Sequence, residues 1–146
     1  MLFPSVISYG ELQSLTHRVA NGLRNYGLQP GDSVAVFMPM TAESVAIYLG
    51  IITAGCVVVS IADSFSAEQL GVRLRVGNAR LVFTVQSVNR GGKQIPIYDR
   101  VVDAAAPPVV LLDEDSCEDG GLRSEDVTWK EWLADDDSDQ IGRAHV

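Results

Sequence analysis

Reactive side chains are scarce in this sequence. Its 146 residues hold two cysteines and two histidines. Cys56 and Cys117 share no metal-type spacing, which argues against a zinc framework, and two thiols do not make the disulfide lattice of a small secreted fold. No run approaches ~18 consecutive apolar residues, so no transmembrane segment is expected. Met1-Leu2-Phe3-Pro4 has neither a basic n-region nor a cleavage pattern, so the chain does not read as secreted. A Walker loop is absent, as is a dinucleotide G-x-G-x-x-G. Basic residues number 11 against 19 acidic, a formal charge of −8, and no basic face for nucleic acid is visible.

What is present is a soluble globular balance, 47% apolar and 21% charged, at a length that suits one ordinary core. The charge is unevenly spread. Residues 1–112 carry 8 basic and 7 acidic side chains, whereas 113–146 carry 3 and 12, so the end of the chain reads as a solvated acidic tail.

Helix and strand signals alternate. Ser8-Tyr9-Gly10-Glu11 is a capping box, and Leu12, Leu15, Val19, Leu23 and Tyr26 follow at helical spacing. Gly27 supplies a left-handed end with Leu28 as its apolar contact, so a helix is predicted over 9–26. Ser33–Phe37 is a short β-prone run of the kind buried on both faces. Thr41 caps a second helix, with Glu43 meeting its dipole and Val45, Tyr48, Leu49 and Ile52 as its expected buried face. Cys56–Ser60 reads as the next buried strand. Ser66 and Gln69 box a third helix that stops at Gly77-Asn78, and strands follow over 81–85 and 109–112. Pro96 suits the first turn of a fourth helix reaching about Ala106. Trp129, Trp132 and Leu133 suggest a short docking helix. The expected fold is therefore α/β, a mainly parallel sheet with helices on both faces.

No catalytic set emerges. His17 lies off the apolar stripe of its helix with no partner in sequence, and His145 is near the end. Cys56 reads as a small core hydrophobe, and Cys117 sits among carboxylates that disfavour a thiolate. Arg90-Gly91-Gly92-Lys93 reads two ways: as solvated charges on a turn, or as a flexible loop whose guanidinium and ammonium wrap a phosphate.

Several stretches in order resemble the adenylate-forming synthetases. They are Ile7-Ser8-Tyr9-Gly10-Glu11-Leu12, Arg18–Leu23, the run Gly27 to Val36 containing Gly31-Asp32-Ser33-Val34-Ala35, and Ala46–Ile51 with Ala54–Val59. Ser60–Ser66, Arg73, and Arg90–Lys93 with Ile95-Pro96-Ile97 and Val101–Ala104 are similar to the acyl-CoA synthetase branch near acetyl-CoA synthetases. Asp126–Leu133 resembles the peroxisomal acyl-activating enzymes of plants.

The resemblance implies a two-step ligase: a carboxylate attacks the α-phosphate of ATP, with magnesium, and coenzyme A then displaces AMP. It implies that Arg90 and Lys93 meet the 3′-phosphate of coenzyme A and that Ala62-Asp63-Ser64 run beside the nucleotide. Residues 1–133 are expected to be an incomplete N-terminal part of the synthetase domain, inactive alone because the family's phosphate loop and lid lie downstream. No cofactor is then expected to bind this chain tightly. The implied substrate is a small carboxylic acid and the compartment is cytoplasm or peroxisome. Residues 134–146 are expected to be an acidic tail, and Ile141–Val146, which back-translates into the opening of a common sequencing adapter, an artefact. The competing reading is an autonomous, non-catalytic α/β binding module.

Overall fold

A computed structural model describes residues 7–112 and 121–136. Cys117, His145, most of the acidic tail and the adapter-like end therefore lie outside the described residues. The chain divides into two compact units, one helical and one built on a sheet.

The helical unit contains α1 (Tyr9–Asn25) and α2 (Ala42–Thr53). The box at the start of α1 forms: Ser8 Oγ accepts from the Glu11 N–H at 3.0 Å, and Glu11 Oε1 from the Ser8 N–H at 3.4 Å. Its end also forms, with Gly27 at φ +100 and the Leu28 N–H donating to the Leu23 carbonyl at 3.1 Å. Tyr26, the C-cap residue, keeps helical dihedrals but is exposed, and the chain turns out of the helix at Gly27.

The buried face of α2 differs from the one expected. Ala46, Ile47, Gly50 and Ile51 are buried, whereas Leu49 and Ile52 are exposed and Val45 and Tyr48 half-buried. A helix that is apolar nearly all round offers two stripes, and the small residues decide between them. A Cβ on Gly50 would stand 2.5 Å from Val19 Cγ1 and 3.0 Å from the Thr16 carbonyl oxygen. Only glycine lets α1 come this close, so the Ala46–Gly50 side turns inward.

The sheet has the order β2-β1-β3-β6-β7, from β2 (Val57–Ser60), β1 (Ser33–Phe37), β3 (Ala79–Thr84), β6 (Val109–Leu111) and β7 (Val127–Thr128). The pairs β1–β3, β3–β6 and β6–β7 are all parallel. Val34–Phe37, Leu81–Thr84 and all of β6 are buried, which is why these runs are apolar without alternation. Thr84 is the polar exception, its hydroxyl donating to the Phe37 carbonyl at 2.7 Å. The expectation of a buried strand fails at β2, where Val57 and Ser60 are exposed: among the described residues β2 is the edge of the sheet.

In the sheet unit α3 (Ala67–Val76) starts at the predicted Ser66–Gln69 box and ends before Asn78, which takes φ +52. The stretch 86–97 differs from expectation. Ser87–Arg90 (β4) and Lys93–Pro96 (β5) form an antiparallel hairpin, so Pro96 closes a strand opposite Ser87 and does not open a helix. A two-stranded ribbon has free edges, where a missing N–H is tolerated. Helix α4 covers only Tyr98–Asp103. It stops short of Ala106 because Ala105 is left-handed, φ +52, and Pro107 disfavours helix at Ala106. The predicted docking helix is α5 (Trp129–Trp132), whose two rings meet Phe83 edge-on at 6.3 and 5.0 Å between centroids.

Where the chain returns after residue 120, a polar latch is buried in the sheet unit. Arg123 forks onto Asp126, Nε to Oδ2 at 2.8 Å and Nη2 to Oδ1 at 3.0 Å. It also donates to the carbonyls of Ala106 and Pro107 at 2.9 and 3.0 Å. Asp126 Oδ1 accepts the Val109 N–H at 2.9 Å, and Oδ2 accepts the Tyr98 hydroxyl.

Candidate functional site

Two segments of the sheet unit that follow strand ends meet at one cleft. Ala62–Phe65 follows β2, pinned where the Ile61 N–H donates to the Val36 carbonyl at 3.0 Å. The hairpin follows β3 and is closed at its base by the Ile97 and Tyr98 N–H groups, which donate to the Gln86 carbonyl at 2.9 and 3.2 Å. Its tip is the two-residue turn Gly91-Gly92, with φ +59 and +79, values that require glycine at little cost. Arg90 and Lys93 face each other across that turn, the last pair of the ladder.

The cleft between these segments has a volume of about 230 Å³, and Asp63, Ser64, Arg90 and Arg100 supply its polar wall. Val88 and Ile95, a pair in the ladder, supply an apolar one. Arg90 Nη2 donates to Asp63 Oδ1. The two ends of this pair differ in environment: the Arg90 side chain is 50% exposed and that of Asp63 9%. Asp63 Oδ2 is buried without a hydrogen-bond partner among the described residues. Arg100 Nη1 donates to the carbonyls of Asp63 and Phe65 at 3.0 and 3.1 Å, holding the backbone of the segment.

Of the five residues singled out in the sequence, Asp63 and Arg90 are bonded, Ser64 lines the same cleft, and Lys93 is exposed at the hairpin tip. Ala62 is exposed and does not line the cleft. Arg100 escaped sequence reasoning, since nothing in Tyr98–Asp103 distinguishes it from a solvated helical charge.

Elsewhere the titratable groups read as structure. Burial, and then the charge of Asp32, push the Cys56 thiol up, and its Sγ reaches the Gln29 carbonyl at 3.5 Å; it is an inert core thiol. Glu43 is buried in the first turn of α2, which raises its carboxyl above the ordinary range, and Oε2 has no partner among the described residues. Among the described residues no three His, Cys, Asp or Glu side chains gather as a metal-holding group. No helix among them is long and apolar enough to cross a membrane.

The donor set at the hairpin tip is suited to a phosphate. Probable acyl-activating enzyme 18, peroxisomal, of Arabidopsis thaliana is 43% identical over 125 residues, 85% of this chain and 17% of that protein. Hexanoyl-CoA synthase of Cannabis sativa is 40% identical over 128 residues, 87% of this chain and 18% of that protein. Acetyl-coenzyme A synthetase of Shewanella sediminis is 30% identical over 131 residues, 85% of this chain and 20% of that protein. The chain thus spans about a fifth of the length of these relatives. The solved acetoacetyl-CoA synthetase from Streptomyces lividans superposes with a TM-score of 0.80 at 24% identity, over 92% of this chain and 21% of that one, a likeness of fold. The family described as AMP-binding enzyme matches residues 3–143, nearly end to end, and the chain belongs to it.

Proposed function

We propose that this chain is the N-terminal part of an AMP-forming acid–CoA ligase and that its hairpin tip receives the 3′-phosphate of coenzyme A. In the parent reaction a carboxylate oxygen bonds to the α-phosphorus of ATP and pyrophosphate leaves; the thiol sulfur then bonds to the acyl carbon and AMP leaves. The observation that carries the reading is the pairing of Arg90 with Lys93 across a glycine turn, beside the cleft holding Asp63 and Ser64. Ligands of open parallel sheets gather outside the carboxyl ends of strands where the strand order reverses, and both segments of the cleft follow strand ends beside β1. Relatives named for acetyl- and hexanoyl-CoA formation support a small or medium carboxylic acid as substrate, and relatives named peroxisomal support that compartment.

The chain by itself is inactive on this reading and holds no cofactor tightly. ATP and magnesium belong to parts not found in these 146 residues, which contain no glycine-, serine- and threonine-rich phosphate loop. The purified chain, free of host synthetases, should release no pyrophosphate from ATP when acetate or hexanoate is added; release that rises with either acid overturns the inactive-segment reading.

The coenzyme A reading is tested in the full-length enzyme with Arg90 and Lys93 both changed to Ala. KM for coenzyme A should rise about tenfold or more, each charge-assisted contact being worth roughly 1.5–3 kcal/mol. The loss should fall on the thioester step and not on acid-dependent ATP–pyrophosphate exchange. An unchanged KM, with dephospho-coenzyme A used equally well, returns both residues to solvated charges.

A further inference from the structure

Three arginines from three elements converge on Ala62–Phe65. Arg90, at the end of β4, holds the Asp63 carboxylate; Arg100, on α4, holds two backbone carbonyls; Arg73, on α3, lies over the Phe65 ring at 5.4 Å. Among the described residues Asp63 is the one carboxylate lining the cleft. Its side chain lies in the wall of the cleft, while the arginine side chain it holds is half in solvent. One Arg90 nitrogen is bonded to Asp63, so the fork keeps further N–H donors for another acceptor. A carboxylate behind an exposed arginine removes rotamer freedom that an incoming anion would otherwise have to freeze.

We propose that Asp63 is a positioning residue for the anion site at the hairpin tip: by anchoring one edge of the Arg90 guanidinium, it presents the free edge to a phosphate monoester beside Lys93. The inference rests on the coenzyme A reading above. It differs from that reading in giving the carboxylate a helping role. An acid next to an anion site can also compete for its arginine, and the two roles have opposite signs.

The test uses the full-length enzyme carrying Asp63→Asn, compared with wild type and with Arg90→Ala, each assayed with coenzyme A and dephospho-coenzyme A. Acid-dependent ATP–pyrophosphate exchange reports that each variant is folded. Positioning predicts that Asp63→Asn raises KM for coenzyme A about fivefold to tenfold, leaves kcat near wild type, and does not affect dephospho-coenzyme A. It also predicts that Asp63→Asn adds nothing in an Arg90→Ala background. If Arg90→Ala raises that KM while Asp63→Asn leaves it unchanged or lowers it, positioning is overturned and the coenzyme A reading stands. If neither change moves it, the coenzyme A reading fails and the inference with it. Should Asp63→Asn not fold, Arg90→Lys serves instead: an ammonium lacks the planar fork that spans carboxylate and phosphate, so the same rise is expected, and full affinity overturns the proposal.

Discussion

Two arginine–aspartate pairs of the sheet unit have opposite designs. Arg123 and Asp126 form a two-point fork with side-chain exposures of 20% and 0%, and the fork is completed by two carbonyls, one backbone N–H and the Tyr98 hydroxyl. Arg90 and Asp63 meet at one point, with half of the arginine in solvent and one carboxylate oxygen unpartnered among the described residues. A buried carboxylate whose two oxygens each accept two hydrogen bonds has nothing left to offer a ligand; it holds chain to chain. A pair left half-finished at a surface contributes little to folding and keeps donors free for binding.

The contrast is broken most forcefully at Asp126. In the full-length protein Asp126→Ala strands the Arg123 guanidinium and the Val109 N–H, and should cost about 3–5 kcal/mol in urea unfolding. A loss under 1 kcal/mol would mean that the latch is not what docks residues 121–128. Tyr98→Phe removes one donor from the same latch and should cost about 1 kcal/mol near neutral pH. Burial first, and then the bond to Asp126, raise the Tyr98 phenol above its ordinary value of 10.0. Its neutral form is thus the one favoured by folding. That stabilisation is complete below the ordinary phenol value and is lost as pH rises through the folded one, so an alkaline fall in stability should be shallower in Tyr98→Phe. Identical alkaline profiles would remove Tyr98 from the account. Least affected should be Arg90→Ala, whose unfolding free energy should stay within about 1 kcal/mol of wild type with little dependence on salt. A larger loss would make the two pairs alike and weaken the case for a binding role.

The elements that could be read from the sequence were those whose ends carry their own chemistry. Ser8 with Glu11, Ser66 with Gln69, and Gly27 with Leu28 fixed three helix ends to within a residue, and the apolar runs of β1, β3 and β6 marked strands buried on both faces. The hairpin gave a weaker signal. Val88 and Ile95 are its only large apolar residues apart from Pro96, and they gain meaning only as a pair two residues either side of Arg90 and Lys93 around Gly91-Gly92. The inward face of α2 depended on Gly50 meeting Val19, and the exposure of β2 on strand order, neither of which is local. At the candidate site Asp63 and Arg90 could each be named, but the bond between them crosses 27 residues, and a composition or spacing rule has no access to that distance.

The two tryptophans of this chain are Trp129 and Trp132, stacked at 6.2 Å with their planes 21° apart and both edge-on to Phe83. The helical unit has Tyr9, Tyr26 and Tyr48 and no tryptophan among its described residues. Red-edge excitation therefore samples only the corner of the sheet unit where α5 docks, and a stacked indole pair there should give a coupled near-ultraviolet dichroism band. In the isolated chain, emission would follow that corner while far-ultraviolet ellipticity would be weighted toward α1 and α2. Whether the two curves coincide on heating would show optically whether the units melt together.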